Sequence, residues 1–102
     1  MATTYTYPDA YLARFCTEER EARALELVES YATTAGVTLS ASWIERLTIT
    51  QTYVLAALEN QADPEDLFAA KLKAYLQQFD ALLPQAVAAA KAAADEPSNL
   101  AI

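Results

Sequence analysis

Histidine is absent from this chain, and cysteine, glycine, methionine and tryptophan occur once each. Without histidine the chain lacks the side chain that most often serves as general base or metal ligand near neutral pH, which argues against Ser-His or Cys-His nucleophiles and against zinc. One glycine cannot build a glycine-rich phosphate loop. The one cysteine, Cys16, has no partner for an internal disulfide. It follows Phe15 and reads as a buried apolar filler in a protein made in a reducing compartment. Positive charge is also scarce, with seven Lys and Arg against fourteen Asp and Glu, a net of -7 and a pI near 4.3. The cations are scattered among carboxylates, which excludes a nucleic-acid partner and an anionic membrane surface. Nor is there an apolar run of membrane-spanning length. The opening Met-Ala-Thr-Thr-Tyr-Thr-Tyr has neither the basic start nor the apolar stretch of a signal peptide, so the expectation is a soluble protein, cytoplasmic at synthesis.

What remains is alanine and leucine on helical spacings. At 102 residues and 54% hydrophobic the chain has the size of one domain with one core. The expected fold is all-α: a small antiparallel bundle of four to five helices, with an extended N-terminal arm and a flexible C-terminal tail. Three segments follow: the arm over residues 1–7, the bundle over 8–83, and an Ala-rich helix and tail over 84–102.

The boundaries come from local signals. Thr and Tyr alternate through residues 1–7, a period of two that suits an extended arm. Pro8 then opens a short helix to about Phe15, with Tyr11, Leu12 and Phe15 one turn apart. A second helix starts at Cys16 or Thr17, where Glu18, Glu19 and Glu21 complement the helix dipole. Its stripe runs Leu25, Val28, Ala32 and Ala35, widened by Leu27 and Tyr31, and Gly36 supplies the left-handed cap that ends it. Ser42 and Glu45 have capping-box spacing and predict a third helix from about Trp43 to Gln61. Its stripe is Ile44, Leu47, Gln51, Val54, Leu55 and Leu58.

At Asp63-Pro64-Glu65-Asp66 a cap, a first-turn proline and two dipole-complementing carboxylates mark the start of a fourth helix. Leu67, Phe68, Leu72, Tyr75, Leu76, Phe79, Leu82 and Leu83 make it the centre of the core. Lys71 and Lys73 flank that stripe, their stems over the core rim and their ammonium groups in water. Pro84 is expected to end or kink the helix and open another through Ala94, whose only sizeable apolar residue is Val87. The last eight residues, polar until Leu100 and Ile102, have the composition of a tail ordered by a partner.

No constellation for catalysis stands out, and the expectation is a protein that is not an enzyme, with neither cofactor nor metal. The carboxylates at Glu18, Glu19 and Glu21 and at Asp63, Glu65 and Asp66 sit at helix starts, where capping accounts for them. The second group lacks the glycine and closing glutamate of a calcium loop. Tyr5 and Tyr7 lie outside any helix and are candidates to pack across a neighbouring subunit or back onto their own domain.

The run Leu47 to Ala57, with Asp63 to Phe68 and Lys71 to Tyr75, resembles small helical proteins of tailed-phage morphogenesis clusters, the head-to-tail connector or adaptor class. The similarity extends in architecture over roughly residues 9–87. It implies a structural virion protein of the neck, assembled in the host bacterial cytoplasm, whose copies form a ring beneath the portal protein and dock the tail. Its partners would be the portal protein, tail-side connector proteins and further copies of itself, with no small-molecule substrate. By position, Tyr5 and Tyr7 would serve inter-subunit contact, and residues 85–102 the portal, through Val87, Ala89, Ala93, Leu100 and Ile102. The alternative is a small acidic regulatory protein that binds and inhibits a basic protein surface, with strongly salt-dependent one-to-one binding.

Overall fold

A computed structural model of the chain describes residues 3–63 and 65–95. Among these the regular structure is all helical: α1 (Ala10–Ala13), α2 (Glu18–Ala35), α3 (Ala41–Asn60) and α4 (Leu67–Asp95). Short connections make α2, α3 and α4 successively antiparallel. None of these helices is long and apolar enough to cross a membrane.

The helix ends follow from side chains that satisfy orphan backbone groups. Asp9 caps α1 by accepting from the Tyr11 and Leu12 N–H groups, and Thr17 caps α2 by accepting from Arg20 N–H. Gly36 ends α2 at φ 73°, ψ 30°, the left-handed cap expected of it. At α3 the cap is Ser40 rather than Ser42, and the helix begins at Ala41. Capping from Ser40 places Leu39 before the cap and Ile44 in the first turn, so both meet in one apolar cluster as a hydrophobic staple. The cap of α4 is Asp66 rather than Asp63. One Asp66 carboxylate oxygen accepts from Ala69 N–H at 2.8 Å, and the other takes the Ala62 and Asp63 N–H groups of the preceding turn. Pro64 lies outside the described residues.

Pro84 neither ends nor divides the last helix, which runs unbroken over 29 residues, about 43 Å. A proline withholds the N–H that would serve the Asp80 carbonyl. The Gln85 side-chain amide donates to the neighbouring Ala81 carbonyl at 3.1 Å, and Leu82 and Ala86 on either side of Pro84 are both buried. Packing of that seam holds the helical path, so there are four helices rather than five among the described residues.

α3 is the central element, with α2 on one side and α4 on another. One apolar cluster joins Val28 and Ala32 of α2, Leu47 of α3, and Phe79, Leu82 and Ala86 of α4. A second, at the other end, joins Tyr53, Ala56 and Ala57 of α3 to Leu12 and Cys16, with Phe68, Leu72 and Tyr75 of α4 against it. Fully burying residues such as Leu12, Val28 and Leu47 stabilises by roughly 1.5–3 kcal/mol each. The α4 seam therefore steps Phe68, Leu72, Tyr75, Phe79, Leu82, Ala86, a heptad-like stripe. Leu67, Leu76 and Leu58, expected in the core, are 51%, 43% and 53% exposed.

Because α3 is enclosed on several sides, it buries Thr48, Thr50 and Thr52 as well as Leu47, Gln51 and Val54 of its stripe. The Thr50 and Thr52 hydroxyls donate to the carbonyls four residues back, at 2.9 and 2.7 Å, which satisfies them without leaving the helix.

Candidate functional site

Two carboxylates organise the N-terminal third of the molecule. Glu21 stands in the first turns of α2, in phase with Ala24 and Val28, and is buried with them. One of its oxygens accepts from Thr4 N–H at 2.7 Å. The other accepts from Tyr5 N–H at 3.0 Å and the Tyr7 hydroxyl at 2.8 Å. Tyr7 also reaches Thr52 of α3 and sets its ring edge-on to Tyr53 at 5.6 Å. The non-helical segment over residues 3–9 is thereby folded back and tied to its own domain. Burial pushes the Glu21 carboxyl up, but these donors outweigh it and hold it below its ordinary value. Burial, set only partly back by Thr52, raises the Tyr7 phenol well above the usual range.

The second carboxylate is Asp9. Its Oδ1 caps α1, while Oδ2 accepts from Lys71 Nζ at 2.8 Å and from the Tyr75 hydroxyl at 2.6 Å. The Asp9 N–H donates to the Tyr53 hydroxyl at 2.8 Å, and Tyr53 stacks on Tyr75 with ring centres 4.5 Å apart. Burial acts to raise the Asp9 carboxyl. Lys71, Tyr75 and Leu12 N–H act against it and leave it below its ordinary value. Tyr75, desolvated and beside that carboxylate, is pushed far up.

Next to this clasp an open groove of about 720 Å³ runs between α3 and α4, with residues 8–11 also lining it. Its floor is Ile49, Tyr53, Tyr75 and Leu82, its middle carries Thr50 and Gln78, and its ends carry Arg46 and Lys71. The Arg46 guanidinium stacks on Trp43 at 4.5 Å. No family model, curated protein or solved structure matches this chain. The chemistry open to the site is therefore read from its geometry alone.

What these contacts do is hold the N-terminal segment to the bundle. Asp9 and Glu21 are shifted away from neutral pH on one side, Tyr7 and Tyr75 on the other, so none is poised as an acid or base at pH 7. Burial pushes the Cys16 thiol up to about 12, far from a reactive thiolate. Among the described residues no three Cys, Asp or Glu side chains converge as a metal-ligand set.

The structure brings Tyr5 and Tyr7 together at Glu21, with Tyr7 engaged inside the chain and the Tyr5 side chain half-buried. Of the residues assigned to a partner, Val87 is half-buried while Ala89 and Ala93 are exposed on α4. Ala93 lines an open cleft of about 620 Å³ together with Gly36, Val37 and Thr38. Leu100 and Ile102 lie outside the described residues. Lys71, expected to stay wet, is ion-paired with Asp9, because the arm brings a buried carboxylate within its reach. The sequence offered one usable sign of the clasp: Glu21 alone among the first-turn acids falls in phase with the α2 core. Asp9 and Arg46 carried no comparable sign.

Proposed function

We propose that this chain is a structural subunit of the tailed-phage virion neck, a head-to-tail connector whose copies form a ring beneath the portal protein and offer a docking surface to tail-side connector proteins. The observation that carries the proposal is the far end of α4. Ala86 and Ala90 close the bundle's core, but the same helix runs on through Lys91, Ala92, Ala93 and Ala94, which are exposed and meet the α2–α3 connection only across an open cleft. A helix sheathed in alanine lets another backbone approach closely, and an isolated extension of this kind gains little by itself. The reactive side chains, by contrast, are spent inside the fold on Asp9 and Glu21, which supports a structural rather than a catalytic role. The resemblance of residues 47–57, 63–68 and 71–75 to connector proteins supplies the identity of the partners. Within the ring, Tyr5 is the arm residue placed for a neighbour, and Tyr7 positions it from Glu21.

The test is co-purification with the portal protein of the same genome, followed by particle imaging. Full-length protein should add a ring beneath the portal. A chain ended after Lys91 should keep its helical circular dichroism and melting temperature but lose portal binding. A folded full-length protein that fails to join the portal, or a shortened one that binds equally well, would overturn the proposal.

A further inference from the structure

We infer that the groove between α3 and α4 is the seat for α2 of a second copy of this chain, so that copies join head to tail. The inference rests on the connector role and specifies the contact between neighbouring subunits.

The groove is lined by two cations and one carboxylate on a molecule of net charge -7. Arg46 is exposed and in no ion pair among the described residues, and Lys71 commits to Asp9 one of its three N–H donors. Among the described residues the only carboxylate lining the groove is Asp9, already held by Lys71 and Tyr75. Between the two cations lie Ile49, Tyr53 and Leu82. Their spacing follows from register. Gln78 approaches Thr50 at 3.5 Å, Arg46 stands four residues before Thr50, and Lys71 seven before Gln78 on the antiparallel helix. The cations are thus about eleven residues, or roughly 16 Å, apart along the groove.

One flank of α2, next to its buried row, carries the complement. Glu18 and Glu29 are exposed, eleven residues apart on one helix row, and so also about 16 Å apart. Ala22 and Leu25 occupy the same row between them, the first exposed and the second half-buried. Acid, small, apolar, acid on α2 meets cation, apolar, apolar, cation in the groove.

The groove lies on the side of α3 away from the Arg20 and Arg23 contact with α2. Glu59 of α3 is tied to α2 through Arg20 and Arg23 at 2.8 and 2.6 Å. Thr50, in the groove, is nine residues from Glu59, about two and a half turns, and therefore on the opposite face of α3. A subunit whose two complementary patches are different surfaces makes heterologous contacts, the kind that propagate from copy to copy and close into rings.

The experiment is light scattering of the full-length protein up to about 1 mM, where contacts near −4 kcal/mol are populated. The wild type should grow beyond a dimer with concentration. Arg46→Glu should weaken that association by roughly tenfold or more while the circular dichroism is unchanged. Adding Glu18→Lys or Glu29→Lys to the Arg46→Glu chain should restore it for one of the two, which also fixes the direction in which α2 lies. A wild type that stays monomeric to 1 mM, or an Arg46→Glu chain that associates normally, would overturn the inference. Loss of portal binding in Arg46→Glu with both proteins monomeric would assign the groove to the portal instead and overturn it too. A portal-bound ring that forms equally from Arg46→Glu copies would remove the groove contact and leave the connector role standing. Self-association through the groove with no portal binding would do the reverse.

Discussion

At Glu21 three donors from residues 4, 5 and 7 converge on one buried carboxylate, and among the described residues nothing else of comparable strength holds the start of the arm. Hydrogen bonds to an ionised acceptor are worth about 1.5–3 kcal/mol, and buried donors left without one are costly. Glu21→Ala should therefore destabilise by about 2–3 kcal/mol in urea denaturation and speed amide exchange at Thr4 and Tyr5, with α2 to α4 still helical. Exchange that stays slow at those two amides would show that the arm is held elsewhere. Thr48 is the opposite case. Its Oγ1 is buried and has no partner among the described residues, whereas Thr50 and Thr52 bond back to their own helix. Thr48→Val keeps the shape and removes an unsatisfied hydroxyl, so it should raise stability by about 1 kcal/mol with an unchanged denaturant slope. A loss of stability instead would mean that the hydroxyl has a bound partner.

Helix identity was legible from the sequence wherever a periodic stripe met a cap: Thr17 and Gly36 bound α2 as local rules require. The errors came where two local signals competed. Ser40 and Ser42 stand two residues apart, and the Leu39–Ile44 staple, a local pattern that only a Ser40 cap puts in register, favours the first over the capping-box spacing of the second. Pro84 reads locally as a break, but buried Leu82 and Ala86 on either side hold α4 together. A mid-helix proline still forfeits a hydrogen bond and crowds the preceding turn. Because Pro84 is exposed, Pro84→Ala should lose no packing and should stabilise by about 1–2 kcal/mol, raising Tm by several degrees for a domain of this size. A lower Tm would mean that the path the proline imposes is what brings Leu82 and Ala86 onto the core.

At the scale of the whole molecule, the all-α class was legible because alanine and leucine periodicity runs through most of the chain, while the clasp and groove were not. Both arise where segments distant in sequence meet: Asp9 with Lys71 and Tyr75, Glu21 with Thr4 and Tyr7, Arg46 with a floor shared by α3 and α4. These meetings also set how stability responds to pH. Asp9 and Glu21 have folded values below their ordinary 3.8 and 4.5, so the unfolded chain binds protons first as pH falls. Their contribution is present above about pH 5 and is lost as pH falls through their folded values. Glu59, drawn down to about 2 by Arg23 and Arg20, acts in the same direction, but solvent screens that pair. Cys16, Tyr7 and Tyr75 are raised above ordinary values of 9.0, 10.0 and 10.0, so their contribution is present at neutral pH and fades as pH rises past about 9. Stability measured by urea denaturation should form a plateau between about pH 5 and 9 and fall on both sides. In an Asp9→Asn, Glu21→Gln double variant the acid limb should flatten while the alkaline limb remains. An acid limb of unchanged slope would place the responsible carboxylates outside the clasp.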